Sequence, residues 1–499
     1  MTHKIFPYSW HIDEKQEERT VIRIYGLNIK NQSICITIND FTPYIYLELP
    51  NDIEWNDVRA NMLGKKIDDI CGRFRPLKKC LSFKKKLYYA NVEKNNEKYL
   101  YKKFPYLMLS FSSPLDIKKV MYRLNKSILV SGIGNIKLKV HEQDANAILQ
   151  LVCVKDIPTA GWFYFKGKET VGYDKETYCK HEYIVKWRNI ARVKSEIKMP
   201  LPLIMGFDIE VNSTNPNIMP NAKKPGDKVF QISCVLSRPN DTDDKFQRFL
   251  LTLGNPISKI VGENVKIIRF DTETELLCGF TKFISKYNPQ LIVGYNILNF
   301  DIPYMIQRAK SEMCMYEFDQ MSCRIHHHAP EKIIKWSSSA YKNQEFQFLD
   351  AEGRLFVDLL PLVKRDYKFN NYKLKKISDF FLGETKDPLT PKGIFKCYRE
   401  GMKRNKGIFT KRAEKAMSVV GKYCVQDTVL CNKLVEVLQT WVGLCEMAST
   451  CNVPIFFLYT QGQQIKVYSQ VYKFCMKYNI IVEKDGYKAA ENESYTGAT

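Results

Sequence analysis

Two acidic residues, Asp208 and Glu210, lie two positions apart within an apolar run that extends from 203 to 211. A short run rich in branched residues is typical of a buried strand. Because strand side chains alternate between two faces, both carboxylates point the same way, roughly 6–7 Å apart. Binding a divalent cation such as Mg²⁺ or Mn²⁺ offsets their repulsion and their desolvation. The alternative is that one of the two carboxylates caps a helix or forms an ion pair.

Two further carboxylates lie in apolar settings. Asp301 follows a predicted strand at 291–293, and Asp427 lies in the apolar stripe of a predicted helix from 411 to 442, four residues after Tyr423. Helical residues four apart are neighbours, so this phenol and carboxylate share a site. Four acids from three segments suit a pair of divalent cations about 4 Å apart, which stabilises the attacking and leaving oxygens in phosphoryl transfer.

The segments around these acids alternate between strands and helices. Further strands are predicted at 229–236, 248–253, 265–270 and 354–358, and further helices at 272–287 and 372–382. Thr272 and Glu275 have the spacing of a capping box at the start of the first of these helices. This order predicts an α/β fold, with a central mixed sheet and helical layers.

The N-terminal part of the chain is predicted to be rich in β-structure. Strands are expected at 20–25 and 33–38 around a polar turn, with a third at 41–46. The stretch 73–103 interleaves basic and aromatic residues, which suits either a path for single-stranded nucleic acid or a solvated hairpin. A charged stretch that ends before Pro200 predicts a domain boundary near residue 199.

Composition narrows the class of partner. The chain has 76 Lys and Arg residues against 54 Asp and Glu, a net charge of +22, which indicates a polyanionic partner such as nucleic acid. An excess of lysine can also arise from solubility or from an AT-rich genome. The 15 cysteines, odd in number and without a Cys-x-x-Cys pair, favour a reducing, intracellular compartment. No apolar run reaches the length of a membrane span, and no signal peptide is expected.

Three short segments together resemble the exonuclease motifs of family B DNA polymerases. Phe207–Glu210 resembles the first motif, Tyr295–Asp301 the second and Tyr423–Asp427 the third, in the same order and with similar separations. The segments 26–46 and 447–466 resemble the eukaryotic delta-type enzyme and its viral relatives. The resemblance implies a proofreading 3′–5′ exonuclease region that serves DNA replication.

The resemblance also implies a domain order. The expected domains are a β-rich N-terminal domain at 1–199, a ribonuclease H-like exonuclease domain at 200–440, and return helices with a linker at 441–499. Residues 495–498 resemble the stretch that leads into the polymerase domain of this family, but no polymerase active-site motif is found, and Asp241–Asp243 lacks its context. We therefore expect a piece of a longer or split polymerase, from a large DNA virus, that does not polymerise DNA alone.

A role for each acidic residue follows from the resemblance. Asp208 would bridge two Mg²⁺ or Mn²⁺ ions, and Glu210 and Asp427 would hold the ion that activates the water. Asp301 would lie near the second ion, which steadies the leaving 3′ oxygen, and Tyr423 would orient the attacking water. No small-molecule cofactor is expected.

The expected substrate is DNA, as a primer-template and as single-stranded 3′ ends. Asn296 and Phe300 would contact the terminal nucleotide. The expected partners are the remaining polymerase half and a processivity factor, in the nucleus or at a cytoplasmic site of viral replication. Two alternatives stay open: a DNA-binding scaffold with little cleavage of its own, and an exonuclease that degrades RNA.

Three further features have simpler interpretations. Asp358 is expected to be structural rather than catalytic. Cys323 with His326–His328 is expected to form an exposed loop, because adjacent histidines cannot all face one zinc ion. The basic run 392–412 is expected to be an exposed connection or a helix near phosphates.

Overall fold

The computed structural model describes residues 2–13, 19–86, 103–193, 197–338, 342–384 and 389–483. The strands are β1 (His3–Ile12), β2 (Ile22–Leu27), β3 (Ser33–Ile38), β4 (Tyr44–Glu48), β5 (Lys78–Lys86), β6 (Phe104–Ser110), β7 (Ser127–Val130), β8 (Gly134–Lys137), β9 (Lys139–His141), β10 (Phe163–Thr170), β11 (His181–Arg192), β12 (Ile204–Val211), β13 (Val229–Ser237), β14 (Gln247–Leu253), β15 (Val265–Phe270), β16 (Leu291–Gly294), β17 (Glu331–Ser338), β18 (Lys342–Leu349), β19 (Leu355–Asp358), β20 (Arg404–Asn405), β21 (Ile408–Phe409) and β22 (Ile480–Ile481). The helices are α1 (Asp57–Cys71), α2 (Pro114–Leu124), α3 (Ala147–Lys155), α4 (Ser258–Val261), α5 (Glu273–Tyr287), α6 (Asp301–Ser311), α7 (Met315–Phe318), α8 (Leu359–Asp366), α9 (Leu374–Leu382), α10 (Pro391–Gly401), α11 (Lys411–Val437), α12 (Thr440–Cys451), α13 (Phe457–Thr460) and α14 (Gln463–Lys477).

The chain divides into two compact units that are interleaved along the sequence. The first unit contains the described residues within 1–11, 23–37 and 157–466, and the second those within 12–22, 38–156 and 467–499. The domain boundaries near 199 and 440 stay a prediction. No helix in the described part of the chain is long and apolar enough to cross a bilayer.

A mixed six-stranded sheet forms the centre of the first unit, in the order β15-β14-β13-β12-β16-β19. Strand β12 is antiparallel to β13 and parallel to β16, which is parallel to β19. The long helix α11 packs across β12, β13 and β14. This arrangement confirms the predicted α/β class and the ribonuclease H-like mixed sheet.

A capping motif in the sequence predicted the start of helix α5, but the end of helix α11 was not predicted. Helix α5 begins with the predicted capping box, in which Thr272 and Glu275 bond each other's backbone. The prediction for α11 was wrong at its C-terminus, because the helix ends at Val437 rather than at 442. Gln439 adopts a left-handed backbone, with φ of 49°, and this breaks the helix before α12 begins.

The first unit also contains a closed barrel, in the order β1-β10-β11-β3-β2. The strands predicted at 20–25 and 33–38 correspond to β2 and β3 of this barrel. The basic run at 392–412 forms the helix α10 and the short hairpin of β20 and β21.

The second unit is built on a five-stranded sheet in the order β22-β5-β6-β4-β9. The third predicted strand lies here as β4, shifted to Tyr44–Glu48. Of the basic and aromatic stretch 73–103, the part that is described forms β5 and its flanks, and 87–102 lies outside the described residues. The segment 495–498, which carried part of the resemblance, lies outside them too.

Glu142 is a buried carboxylate of the second unit, and its raised pKa predicts that the stability of this unit depends on pH. Burial raises the pKa of Glu142 to about 7, although the Val482 amide donates to it at 3.3 Å. The group therefore favours folding below its unfolded pKa of about 4.5, and this contribution is lost as the pH rises through about 7. We expect Glu142→Gln to raise the free energy of unfolding at about pH 8 by up to about 3 kcal/mol, with little effect below about pH 4.5.

The measurement is urea unfolding of wild type and Glu142→Gln at several pH values. Glu54→Gln, at an exposed glutamate of the same unit, is the matched control. Identical pH dependence in wild type and Glu142→Gln would contradict the assignment.

Candidate active site

The acidic pair lies on β12, in the middle of the six-stranded sheet. Asp208 is paired with Ser233 of β13 and Glu210 with Gln231, so both acids occupy alternate positions of a regular ladder. Their carboxylates lie on the same side of the sheet. One oxygen from each and the Cys424 sulfur all lie within 4.8 Å of one another. This is a compact set of ligand atoms, and Glu210 is buried.

Cys424 was not identified from the sequence. It lies on α11 directly after Tyr423, and its thiol donates to the Asp208 carbonyl oxygen at 3.6 Å. Burial, and then the charges of Asp208 and Glu210, raise the pKa of Cys424 well above its ordinary value. Without a bound metal the thiolate form of Cys424 is therefore disfavoured, and the carboxylate oxygens are the hard ligands of the site. The signal that could have found Cys424 is its position three residues before Asp427, on the same helix face.

Helix α11 is fixed on the sheet by hydrogen bonds beside the acids. The Ser233 hydroxyl donates to the Cys424 carbonyl at 2.9 Å, and the Asn432 amide donates to Ser237 Oγ at 2.8 Å. Gly206 permits this close approach, because a Cβ there would overlap Asn432 Oδ1. Tyr423 and Asp427, which α11 carries, are both buried.

The second motif forms the connection between β16 and α6. Asn296 adopts a φ of 69°, and Asp301 is the first residue of α6 with 3% of its surface exposed. Phe300 is half-buried, with its ring 5.6 Å from the ring of Tyr304. Neither Asp301 nor Asp427 belongs to the tight cluster of Asp208, Glu210 and Cys424 within the described residues.

Asp358 binds the backbone of the second motif through hydrogen bonds. It ends β19 and is fully buried, and its two oxygens accept from the Asn296 amide at 2.8 Å and from the Leu298 amide at 3.0 Å. Burial raises the pKa of Asp358 to about 6, while the bonds from Leu298, Asn296 and Leu360 oppose that change. Asp358 is thus a positioning residue for the connection that bears Asn296 and Phe300.

The resemblance of the second motif implies DNA cleavage, and we expect Asp358→Asn to slow it about 10- to 100-fold, because an amide group replaces an acceptor and faces backbone N–H donors. Single-turnover digestion of a labelled strand measures the effect, and circular dichroism checks the fold. Asp379→Asn, at an exposed position on α9, is the control. Equal rates for the two variants would show that Asp358 does not position the motif.

The histidine-rich segment is not a close ligand cluster. The Cys323 sulfur lies 3.6 Å from that of Cys179, and His328 pairs with Asp319 at 2.6 Å. The other close ligand cluster in the described residues is Glu48, His141 and Glu483, in the second unit. The Lys86 ammonium contacts both of its glutamates, so an ion pair accounts for that cluster. His326 is exposed in a loop, whereas Cys323 is buried against Cys179, so the prediction of an exposed loop was wrong for Cys323.

Comparison with known proteins shows which family of enzymes the chain resembles. Residues 138–377 match the sequence profile described as "DNA polymerase family B, exonuclease domain". The whole chain aligns, at 44% identity, with 44% of the length of DNA polymerase 120R of Invertebrate iridescent virus 3. The chain thus resembles family B DNA polymerases, and residues 138–377 match their exonuclease domain. The matched range includes the first two predicted motifs, and the third, at 423–427, lies beyond it.

Other relatives extend the comparison beyond viruses. The chain is 27% identical to the DNA polymerase delta catalytic subunit of Plasmodium falciparum, over 96% of this chain and 42% of that protein. Its fold matches the family B DNA polymerase of Pyrobaculum calidifontis with a TM-score of 0.65 and 15% identity, over 97% of this chain and 52% of that one. The chain thus spans about half the length of these polymerases. Exonuclease domains of this family use divalent metals, and the cluster around Asp208 offers oxygen ligands for them.

Proposed function

We propose that this chain hydrolyses DNA from the 3′ end, as the proofreading exonuclease part of a longer polymerase. The observation that carries the proposal is the acid pair of β12, which lies against the buried third motif on α11. The net charge of +22 supports a polyanionic substrate.

The four acidic side chains of the three motifs are oxygen ligands, which suit hard cations. Asp208, Glu210 and Asp427 would hold one Mg²⁺ or Mn²⁺ ion, and Asp208 with Asp301 would lie near a second. The four acids offer carboxylate oxygens, which suit these cations better than a softer metal, and all but the half-buried Asp208 are buried. Bound divalent cations stabilise negative charge on the reacting phosphate and lower the pKa of a bound water.

The remaining side chains position the substrate. The Tyr423 hydroxyl orients the attacking water, and its burial on α11 limits its rotation. Asn296 and Phe300 contact the terminal nucleotide, and the ring of Phe300 stacks against a base. A mispaired end costs less to unstack than a paired one, so frayed ends enter the site preferentially.

The larger assembly is inferred from the relatives. The whole protein would be a DNA-directed polymerase of replication that binds primer-template DNA, with the domain order predicted above. The remaining polymerase half and a processivity factor are its expected partners, in the nucleus or at a cytoplasmic replication site. The alternative is a scaffold that binds DNA and cleaves it poorly in the absence of the polymerase half.

Digestion of a 5′-labelled single-stranded DNA with Mg²⁺ tests the proposal. We expect a ladder that shortens from the 3′ end, and EDTA should abolish it. A 3′-terminal phosphorothioate should slow the first cleavage, and an RNA strand of the same sequence should be the poorer substrate. Binding without cleavage would overturn the nuclease proposal in favour of the scaffold, and preferred cleavage of RNA would favour the RNA-degrading alternative.

A further inference from the structure

A cavity of about 280 Å³ opens in the first unit, apart from the acid cluster. Its walls come from the β17–β18 hairpin, helix α8 and the segment 458–463. This volume lies near the small end of the range of roughly 300–1,000 Å³ that is typical of ligand clefts. It therefore suits one planar ring system rather than a large ligand.

Aromatic side chains form much of the wall. The rings of Trp336 and Tyr372 line the cavity and are half-buried, while Phe346 lies at the buried end. The Trp336 indole N–H donates to the Thr460 carbonyl at 2.8 Å, which fixes the hairpin to the segment 458–463. Rings held in this way are suited to stacking against a base, since they lose little freedom when a ligand binds.

Polar groups supply the rest of the lining. Gln461 and Gln463 are among the lining residues, and a glutamine amide can both donate to and accept from a base edge. Lys364 is exposed at the wall, with its ammonium 5.8 Å from the centre of the Tyr372 ring. Arg365 is bidentate to Asp366, with both bonds at 2.7 Å, so Lys364 is the cation better placed to meet a phosphate.

The cavity is joined to the second exonuclease motif. The Tyr295 hydroxyl donates to the Tyr372 carbonyl oxygen, and Tyr295 directly precedes Asn296. Helix α8, which carries Lys364, begins directly after Asp358, the residue that holds the same motif. The cavity wall at Tyr372 and the connection that bears Asn296 are therefore bonded to each other.

We propose that this cavity binds a nucleobase of single-stranded DNA upstream of the cleaved nucleotide, with an adjoining phosphate at Lys364. The proposal rests on the proposed function, because it places the site along the strand that the exonuclease shortens. Aromatic stacking with amide contacts tolerates different bases, so the cavity would hold the strand without reading its sequence.

Gly462 provides a way to block the cavity without disturbing the backbone. The nearest heavy atom that a Cβ at this position would meet is Trp336 Cε3, at 3.9 Å, and its φ is not in the left-handed region. A leucine side chain at 462 would therefore extend beside the indole, where the base is proposed to lie. Gly443→Leu is the matched control, because a Cβ there meets nothing within 4 Å.

The test measures binding of fluorescent oligothymidylates of two to about twelve nucleotides to the 499-residue chain in EDTA. We expect Gly462→Leu to weaken binding of the longer strands about tenfold, the loss expected for one stacked base, and to spare the shortest. With Mg²⁺, the KM for long strands should rise while kcat is retained. Lys364→Gln should lower the salt dependence of binding by about 0.7 in log–log slope, as for the loss of one phosphate contact.

Equal binding of long strands by Gly462→Leu and Gly443→Leu would overturn the proposal, as would an unchanged salt slope in Lys364→Gln. Competition by thymidine monophosphate as effective as that by a strand would overturn it in favour of a site for free nucleotides. Because binding is read in EDTA, the cavity is tested even in a chain that cleaves nothing. If the proposed function is wrong, the wild-type chain will not cleave DNA in the Mg²⁺ assay, and that result is separate from the binding result.

Discussion

Asp208→Ala/Glu210→Ala is expected to lower the rate of 3′-end shortening by more than about 1,000-fold, because metal-site electrostatics supply several kcal/mol of transition-state stabilisation. The two acids contribute the close oxygen ligands of the site, and Glu210 is buried beside Cys424. The remaining acids, Asp301 and Asp427, belong to other elements and cannot replace a pair on one strand.

The same double variant should keep its fold. Removal of two neighbouring negative charges relieves repulsion, so the thermal midpoint without metal should stay the same or rise. Wild type should gain stability with added Mg²⁺, and the variant should lose that gain. Asp244→Ala/Glu263→Ala removes one aspartate and one glutamate at exposed positions and controls for the change in net charge. Equal cleavage by the acid-pair variant and this control would refute the metal-site assignment.

Gly206→Ala is expected to lower cleavage about 100-fold although it touches neither substrate nor metal, since a shift of about 1 Å at a catalytic group has that effect. Its Cβ would overlap Asn432 Oδ1 and lie 3.2 Å from Thr428 Cγ2, both on α11. The helix must then move away from β12, and Tyr423 and Asp427 move with it. Overpacking of this kind costs about 1–3 kcal/mol of stability.

Urea unfolding and single-turnover cleavage measure the two effects of Gly206→Ala. Gly443→Ala, in the open part of α12, should instead raise stability by up to about 1 kcal/mol, because alanine is the better helix former. A double-mutant cycle with Asn432→Ala should show a favourable coupling, because the second change removes the atom that the new Cβ meets. Unchanged cleavage in Gly206→Ala would mean that the approach of α11 to β12 is not required.

Much of the local structure was predictable from the sequence. The acidic strand, the capping box of α5 and the apolar face of α11 follow from short-range spacing, because helix and strand periodicity are set by the chain itself. The three motifs carried the resemblance to family B polymerases because each joins an acid to an apolar element in a particular order, and the first two lie in the range that matches the exonuclease domain of that family.

The C-terminal end of α11 could not be predicted. The break at Gln439 has no glycine or proline to mark it, since a glutamine occupies the left-handed position.

The sequence by itself determined the resemblance to family B polymerases, the α/β class and the acids on one side of β12. Only the tertiary structure decided what surrounds those acids: Cys424 beside the pair, Asp358 behind the second motif, and Gly206 at the contact with α11. Each of these depends on contacts between elements that are distant in the chain. Periodicity predicts which face of an element is buried, but packing alone decides which atoms meet across that face.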